Sequence, residues 1–311
     1  MEEKKHKAGF ISLLGPSNAG KSTLCNFLIE EKVSIVSAKV QSTRQRVKGI
    51  YNDENSQLVF VDAPGFIYAE KGLNHFLQKE WQEALQDADC LIFLVRANCI
   101  EKDLNYIEKF LIYSKQPCML IINKMDLVKD KNQVLAVQTL TQAFIEKAEL
   151  KKTENTNIKT WFVSLSKDNN FFRKELIDSV VDTLPESPAF YDKDIYTSQS
   201  MRDLGEEYIR EACFSRLSQE LPYSLVVQIR EWKKVKAIYH IHADLIVSRE
   251  SHKGIVVGKN GEMIKRIGQN SRGLIEKLMG EKIFLKLFVK VREDWADQEV
   301  FLKEYKYTKK K

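Results

Sequence analysis

An eight-residue stretch close to the N-terminus has the composition and spacing of a phosphate-binding loop. It runs Gly15-Pro16-Ser17-Asn18-Ala19-Gly20-Lys21-Ser22 and fits the pattern G-x-x-x-x-G-K-S/T. In such a loop, successive backbone N–H groups turn toward an anion at the N-terminus of a helix. Lys21 would reach the β- and γ-phosphates of a nucleotide, and the Ser22 hydroxyl would ligate Mg²⁺. Taken alone, the pattern also suits an ordinary glycine-rich turn.

Two further motifs follow in the chain, each at the end of an apolar run. Asp62-Ala63-Pro64-Gly65 places a carboxylate where it can hold Mg²⁺ through water, and it places the Gly65 N–H where it can meet a γ-phosphate. Asn123-Lys124-Met125-Asp126 ends the second run. The Asp126 carboxylate can accept both the N1 and N2 protons of guanine, and adenine has no such donor pair. The three motifs in this order predict a site for GTP.

These motifs need a scaffold of strands that end at one edge, and the apolar runs supply it. The strand candidates are short and rich in Ile, Val, Leu and Phe, as buried strands of a parallel sheet are. They are Phe10–Leu14, Gln57–Asp62, Cys90–Val95, Cys118–Asn123 and Thr160–Ser164, with Arg46–Tyr51 as an additional strand pairing with Gln57–Asp62. Helical patterns lie between them; Thr23–Ile29 is one, and Leu104, Ile107 and Leu111 form one stripe of another. The alternation predicts a doubly wound α/β fold with a mostly parallel sheet.

The second half of the chain has a different pattern. A last helix of the first half, Phe171–Thr183, ends before Pro185 and Pro188, which favour extended chain. Beyond them the predicted order is α-β-β-α-α-β. The predicted segments are a helix Met201–Glu220, strands Ser224–Arg230 and Ala237–Val247, a short apolar segment Gly254–Val257, a helix Glu262–Met279 and a strand Ile283–Val291.

Composition and charge limit the class of protein. The chain has 311 residues, 43% hydrophobic and 30% charged, which excludes global disorder and predicts two domains. No apolar run approaches the ~18–20 residues of a membrane-spanning helix, and residues 1–7 lack the apolar stretch of a signal peptide. The cysteines form no C-x-x-C pair and are interpreted as buried thiols of a reducing cytosol. They are Cys25, Cys90, Cys99, Cys118 and Cys213.

The positive charge is concentrated in the second half. The net charge is +6; residues 1–190 sum to zero, and residues 221–290 carry +8. This asymmetry favours a neutral enzyme domain joined to a domain that binds a polyanion. Basic faces are often only solvated, so charge alone leaves nucleic acid as an even choice.

The motifs resemble those of translation-factor-type GTPases, and more closely those of the Era family of bacterial GTPases. The resemblance is carried by the phosphate-binding loop with Thr23-Leu24, and by Gln41-Ser42-Thr43-Arg44, Glu220-Leu221-Pro222-Tyr223-Ser224 and Asp294-Trp295-Ala296-Asp297. It covers nearly the whole chain. It implies an α/β P-loop GTPase domain over residues 1–185, a linker over 186–198 and an α+β type II KH domain over 199–311. The implied activity is hydrolysis of GTP to GDP and phosphate, in a switch that binds small-subunit ribosomal RNA during maturation of the small subunit.

Carried over residue by residue, the resemblance gives each motif residue a role. Lys21, Thr43 and Gly65 are the expected catalytic residues, and Ser22, Thr43 and Asp62 the expected Mg²⁺ ligands, with Ser42 as the alternative to Thr43. The nucleotide is expected at Gly15, Pro16, Ser17, Asn18, Ala19, Gly20, Lys21, Ser22, Thr23, Asp62, Ala63, Pro64, Gly65, Phe66, Asn123, Lys124, Met125, Asp126, Ser164 and Leu165. Asn18 matches an asparagine linked to K⁺ in related GTPases, and it is equally well explained as a turn residue.

The sequence departs from the family pattern in two places, and in a third it shares the family's own departure from other GTPases. Ser164-Leu165-Ser166 stands where Ser-Ala followed by a polar residue is usual; the expected guanine contact there is a backbone N–H, which Leu165 can keep at some steric cost. Ala63 replaces the usual Thr. Phe66 stands where many GTPases place a water-orienting Gln, which puts the positioning of the catalytic water elsewhere.

The expected RNA site centres on a G-x-x-G loop, which in KH domains clamps single-stranded backbone. Its residues are Lys253, Gly258, Lys259, Asn260, Gly261, Lys265 and Arg266. A second surface stays open as an alternative, because Phe284, Lys286, Phe288 and Lys290 share one face of the last strand and could stack bases; packing of a helix over the two phenylalanines explains the same pattern.

The expected partners are GTP or GDP, small-subunit ribosomal RNA and the assembling small subunit, with the protein a cytoplasmic monomer. The basic tail Lys309-Lys310-Lys311 leaves open a peripheral contact with the inner face of the cell membrane. An alternative function is that of an RNA-binding assembly factor gated by GTP binding, with incidental turnover.

Overall fold

The structure, a computed structural model, describes residues 6–36, 43–66, 71–151, 158–166, 170–217, 221–305 and 307. The described residues fall into two compact units. The first holds those within 1–34, 43–66 and 79–198, and the second holds those within 35–42, 67–78 and 199–311.

In the part of the chain that the structure describes, the first unit is built on a six-stranded sheet. Its strands are β1 (Lys7–Leu14), β2 (Val47–Asn52), β3 (Ser56–Asp62), β4 (Cys90–Arg96), β5 (Cys118–Asn123) and β6 (Lys159–Phe162). They lie in the order β2-β3-β1-β4-β5-β6, and only β2 is antiparallel to its neighbour. This confirms the predicted doubly wound sheet and the additional strand. The strand predicted at Thr160–Ser164 lies slightly earlier in the chain. β6 ends at Phe162, so Ser164 lies in the loop that follows.

Helices cover both faces of this sheet because successive strand residues point to opposite sides. The helices along the first half of the chain are α1 (Lys21–Ile29), α2 (Gly72–Gln86), α3 (Ile100–Tyr113), α4 (Lys131–Lys151) and α5 (Asn170–Thr183). On one side Phe93 and Leu120 pack with the predicted stripe of α3. On the other, Ile92 and Ile121 pack with α1 and α5. Successive residues of a strand therefore belong to two different hydrophobic cores, one on each face of the sheet.

The chain that follows α5 is held against the sheet of the first unit. The side chain of Gln57 accepts hydrogen bonds from the backbone N–H groups of Phe190 at 2.6 Å and Tyr191 at 3.0 Å, and donates to the Tyr191 carbonyl at 2.8 Å. The backbone N–H of Ile50 donates to the Tyr196 carbonyl at 2.9 Å. The segment 186–198, expected to be a linker, thus has fixed partners on β2 and β3.

The second unit has the predicted order α-β-β-α-α-β. Its elements are α6 (Met201–Arg216), β7 (Leu225–Val235), β8 (Ile238–Val247), α7 (Glu250–Val257), α8 (Glu262–Met279), β9 (Ile283–Val291) and a short α9 (Glu299–Glu304). β8 pairs antiparallel with β7 and parallel with β9. The Gly254–Val257 segment is not separate, as the sequence suggested, but forms the second half of α7. The predicted helix from Met201 ends at Arg216, and residues 218–220 lie outside the described residues.

One face of the three-stranded sheet forms the core of the second unit. The inward residues of β8 are completely buried, as their alternation predicted, and they pack against α6 and α8. They are Ile241, Ala243, Leu245 and Val247. Ala237, predicted to be the first residue of this strand, lies in the turn before β8.

The described residues show no helix long and apolar enough to cross a membrane. They also contain no group of three His, Cys, Asp or Glu side chains arranged to hold a metal ion. None of the five cysteines forms a disulfide with another described residue, and four of them are buried.

Candidate functional site

The phosphate-binding loop connects β1 to α1, and its glycines meet two distinct steric demands. Gly15 has φ of 141°, and a Cβ there would lie 2.2 Å from the carbonyl oxygen of Leu94. Gly20 has φ of 106°, and a Cβ there would lie 2.3 Å from Nδ2 of Asn123. Both positions therefore require glycine, because of left-handed backbone and because of close approach. The loop is fixed between β4 and β5 before any ligand arrives.

Lys21 folds back over this loop. Its side chain is buried, and its Nζ donates hydrogen bonds to the carbonyl oxygens of Gly15 at 3.1 Å and Pro16 at 3.0 Å. Burial lowers the pKa of Lys21 to about 8, and the nearby Asp62 carboxylate partly offsets that effect. A bound polyphosphate would stabilise the charged ammonium further, which is the chemistry the motif predicts.

Three oxygen-bearing side chains converge beside Lys21, as the sequence predicted for a metal site. The Ser22 hydroxyl donates to Oδ2 of Asp62 at 2.6 Å, and the Thr43 hydroxyl donates to the same atom at 3.3 Å. The two hydroxyl oxygens are 3.0 Å apart. Ser42, the alternative to Thr43, lies outside the described residues.

The donor set fits Mg²⁺. Asp62 is completely buried, and burial raises the pKa of its carboxyl above the usual value. Its second oxygen, Oδ1, is buried and accepts no hydrogen bond from any described residue. A buried carboxylate oxygen of this kind is costly unless something satisfies it. Carboxylate and hydroxyl oxygens are the hard ligands that Mg²⁺ prefers.

Gly65 lies directly against the phosphate-binding loop. A Cβ on Gly65 would be 2.3 Å from Oγ of Ser17 and 2.9 Å from its backbone nitrogen. Ala63 and Pro64 before it are buried. The Asp-x-Pro-Gly segment is thus held within contact distance of the loop, and only glycine fits at its end.

The side chain of Phe66 is engaged in an aromatic cluster. Its ring centroid lies 4.9 Å from that of Trp81 and 5.2 Å from that of Phe110, both edge-on. Its carbonyl oxygen accepts a hydrogen bond from the Tyr106 hydroxyl at 3.1 Å. The residue at this position is therefore anchored on the α3 side of the sheet.

Asn123 joins three segments of the site. It is buried; its Nδ2 donates to the carbonyl of Ala19 at 2.8 Å, and its Oδ1 accepts from the backbone N–H groups of Lys124 at 2.7 Å and Leu165 at 3.1 Å. One amide thus connects the phosphate-binding loop, the Asn-Lys-x-Asp turn and the loop after β6. The Leu165 N–H that the resemblance assigns to guanine is directed at Asn123 here.

The remaining guanine-site residues lie in the turn after β5, which hydrogen bonds connect to the segment after β6. Lys124 has the left-handed φ of 63° that starts the turn. The backbone N–H of Met125 donates to the Val163 carbonyl at 3.1 Å, and that of Asp126 donates to the Ser164 hydroxyl at 2.9 Å. The Asp126 carboxylate is exposed and makes no hydrogen bond or ion pair with the described residues. It is available to a ligand.

Two structural supports of the site were missed from the sequence. Asn26 on α1 clamps the chain after the helix, because its side chain bonds to the backbone of Val33 and Ser34 through three contacts of 2.8–2.9 Å. Asp103 is buried and accepts three hydrogen bonds from Arg96, at the end of β4. The sequence held a signal for the pair of Arg96 and Asp103. An arginine ends an apolar strand, and an aspartate follows in the first turn of the next helix.

The G-x-x-G loop of the second unit joins α7 to α8. Gly258, Asn260 and Gly261 all have positive φ, between 52° and 77°. A Cβ on Gly258 would lie 2.7 Å from that of Met263, whereas nothing lies within 4 Å of one on Gly261. The loop is therefore tightly turned on one side and open on the other, and the side chains of Lys259 and Asn260 are exposed.

The cations around this loop differ in their partners. Lys253 is 3.5 Å from Glu250, and Arg266 is 3.6 Å from Glu262. Lys259 and Lys265 form no ion pair within the described ranges, which leaves both ammonium groups available to phosphate.

The fold and the two sites together define a P-loop GTPase domain followed by a KH domain. A family model described as 50S ribosome-binding GTPase matches residues 10–124, and a KH domain model matches residues 220–296. GTPase Era from Carboxydothermus hydrogenoformans is 35% identical over 97% of this chain and 98% of its own length. GTPase Era from a Geobacter species is 37% identical over 99% of this chain and 100% of its own. The chain belongs to the Era family of GTPases.

Solved structures agree with this assignment. Aquifex aeolicus Era in a GDP·AlF4⁻ complex has a TM-score of 0.88 and 30% identity, and the match covers 97% of this chain and 100% of that one. An Era complex with MgGDPNP and nucleotides 1506–1542 of 16S ribosomal RNA also has a TM-score of 0.88 and 30% identity, with 98% and 100% covered.

Proposed function

We propose that this chain is a GTP-hydrolysing switch that binds small-subunit ribosomal RNA through its KH domain and acts in maturation of the small subunit. The observation that carries the proposal is the presence of both complete sites, the nucleotide pocket and the open Gly258–Gly261 loop, in a chain that matches Era proteins over nearly its full length. The Era complex with 16S ribosomal RNA supports the choice of RNA.

In the nucleotide site we assign the following roles. The Asp126 carboxylate selects guanine, and Asn123 holds the surrounding loops. Lys21 leaves its two carbonyl partners for the phosphates, and the Gly65 N–H meets the γ-phosphate. Ser22 and Thr43, with Asp62, hold Mg²⁺, which neutralises charge on the phosphates when bound. MgGDPNP in the related Era structure supports this metal.

The proposal includes a K⁺ ion bound by Asn18. Asn18 lies in the phosphate-binding loop with a left-handed φ of 63°. This conformation suits a turn residue, and it also suits an asparagine whose side chain faces K⁺ beside the phosphates. A monomeric state and a peripheral membrane contact stay predictions; the tail Lys309–Lys311 lies outside the described residues.

The alternative, an assembly factor with incidental turnover, is favoured by one observation. Phe66 is anchored among Trp81, Tyr106 and Phe110, so no side chain at that position orients the attacking water. Single-turnover GTP cleavage with and without RNA separates the two functions. A switch whose hydrolysis matters is accelerated by its RNA, whereas incidental turnover is indifferent to it.

The RNA site is tested by a filter-binding titration at several salt concentrations with the double variant Lys259→Asp/Asn260→Asp. Both side chains are exposed, so the change leaves the fold intact. It introduces negative charge where the RNA backbone must approach the backbone of the loop. We expect loss of binding to single-stranded ribosomal RNA. Wild-type affinity should fall with salt, with a slope of about −0.7 per phosphate neutralised.

A matched control is Lys102→Asp/Asn105→Asp, which makes the same replacements at exposed positions on α3. It should bind RNA as the wild type does. If the loop variant kept wild-type affinity and salt slope, the Gly258–Gly261 loop would be only a turn.

A further inference from the structure

The face of the three-stranded sheet opposite α6 and α8 is only partly covered. Val226 and Ile246 on it pack with Trp295 and with Leu302 of α9, whereas the part at Phe284 and Phe288 is exposed. β9 alternates strictly: Leu285, Leu287 and Val289 pack against the helix-side core. Phe284 and Phe288 point to the opposite side, where 48% and 40% of their surfaces are exposed. Two large aromatic side chains on one strand face are thus left in contact with water, and a repeated exposure of this kind marks a binding surface.

The rings on this face continue onto the neighbouring strand. His240 pairs with Phe284 in the β8–β9 register, and their ring centroids are 5.1 Å apart. His242 lies 6.3 Å from Phe284 and 6.2 Å from Phe288, so it bridges the two. Phe284 and Phe288 are separated by roughly 13 Å along the strand, at ~3.3 Å per residue. We call His240, His242, Phe284, Lys286 and Phe288 the open sheet face.

Positive charge accompanies the rings. The Lys286 ammonium lies 5.0 Å from the Phe288 ring centroid and forms no ion pair within the described ranges. At the border of the open sheet face, Lys290 and Arg230 both pair with the buried Asp244. A second carboxylate, Glu231, pairs with both His242 and Lys233. The four cations Arg230, Lys233, Lys286 and Lys290 thus outnumber the two carboxylates, and the surface keeps a positive excess.

We propose that the open sheet face is a second contact for single-stranded RNA, in which bases stack on Phe284 and Phe288 while Lys286 meets the phosphates. Aromatic rings interleaved with cations on a sheet are the platform on which successive bases stack. An acidic or apolar protein partner would need only one of the two features, whereas a nucleic acid strand uses both. The inference rests on the proposed RNA binding, and it adds a site separate from the Gly258–Gly261 loop.

The test uses the full chain and an RNA with the sequence of nucleotides 1506–1542 of 16S ribosomal RNA, the segment seen with the related Era protein. In the first arm, Phe284→Ala/Phe288→Ala is compared with Phe284→Trp/Phe288→Trp by fluorescence anisotropy. We expect the alanine pair to weaken binding at least tenfold, since each stacked base loses ~1–3 kcal/mol on alanine substitution. The tryptophan pair should bind as well as the wild type or more tightly. Tyr113→Ala, which removes an aromatic ring that is 82% exposed on α3, should change nothing.

The second arm is photo-crosslinking with 5-iodouridine in the same RNA, followed by mass spectrometry. A crosslink to the peptide that contains residues 283–291 is expected in the wild type. An alanine pair that binds within twofold of the wild type, or the lack of that crosslink, would overturn the proposal.

The loop variant Lys259→Asp/Asn260→Asp separates the two sites. If it binds normally while the alanine pair is weak, the role of the loop fails and the open sheet face stands. If it loses binding while the alanine pair is normal, the loop stands and the open sheet face fails. Unchanged nucleotide affinity and circular dichroism of every variant confirm that each one is folded.

Discussion

Replacing Asn123 by alanine should damage the whole nucleotide pocket rather than guanine recognition alone. The side chain is 3% exposed and makes three hydrogen bonds, to the Ala19 carbonyl and to the backbone N–H groups of Lys124 and Leu165. Alanine leaves these three backbone groups, one buried and two partly buried, without that partner, at about 1 kcal/mol each, or about 3 kcal/mol in total. For a unit of this size, ~1 kcal/mol corresponds to roughly 2–4 °C in melting temperature. We therefore expect a decrease of about 6–12 °C in the nucleotide-free protein.

Two measurements on purified protein check this expectation. Differential scanning calorimetry without nucleotide gives the loss of stability, and calorimetric titration gives the affinities for GTP and xanthosine triphosphate. Both affinities should fall together, because the loop that holds the phosphates is loosened. Asp126→Ala is the matched control: its exposed carboxylate has no partner among the described residues, so it should lose guanine preference without a change in melting temperature. If Asn123→Ala melted within about 1 °C of the wild type and lost only guanine preference, the role of Asn123 in holding the three segments together would be refuted.

Three further changes probe the same pocket. Asp126→Asn should move preference from GTP toward xanthosine triphosphate, because the exchanged donor matches the changed base edge; equal binding of ATP and GTP by the wild type would remove the guanine assignment. Gly65→Ala places a Cβ 2.3 Å from Oγ of Ser17 and should lower GTP hydrolysis at least tenfold while GDP still binds. The reference variant is Lys21→Ala, which should abolish nucleotide binding or hydrolysis. Unchanged turnover of Gly65→Ala would contradict the role of Gly65. Hydrolysis should be slow, Mg²⁺-dependent and faster in K⁺ than in Na⁺, with the difference lost in Asn18→Ala; indifference of the wild type to the ion would exclude the potassium site alone.

The parts of the pocket that follow local rules could be predicted from the sequence. Glycines at positions 15 and 20 are typical of a backbone with positive φ, which other residues rarely adopt. The observed φ values of 141° and 106° agree. Asp62 and Asn123 end apolar strands, so the parallel sheet had to bring them to one edge. The expectation for Phe66 rested on residue type, and the structure places its ring beside Trp81 and Phe110.

The parts that depend on distant partners could not be predicted. Nothing near Asn26 in sequence shows that its amide holds Val33 and Ser34. The segment 186–198 follows Pro185, contains Pro188 and was expected to be a linker, yet Gln57, more than 130 residues earlier, binds its backbone. The predicted order included a helix at Gly254–Val257, but its start at Glu250 was missed, and only Val256 of this helix is buried in the core.

The central claim, that this GTPase acts on small-subunit ribosomal RNA through its KH domain, is tested most directly by crosslinking in living cells. Ultraviolet crosslinking followed by sequencing of the bound RNA should be carried out on the wild type and on Lys259→Asp/Asn260→Asp. The wild type should recover small-subunit ribosomal RNA at discrete sites, and the variant should lose that signal while its level in the cell is unchanged. Recovery of other RNAs in place of ribosomal RNA, or an identical pattern from the variant, would contradict the account.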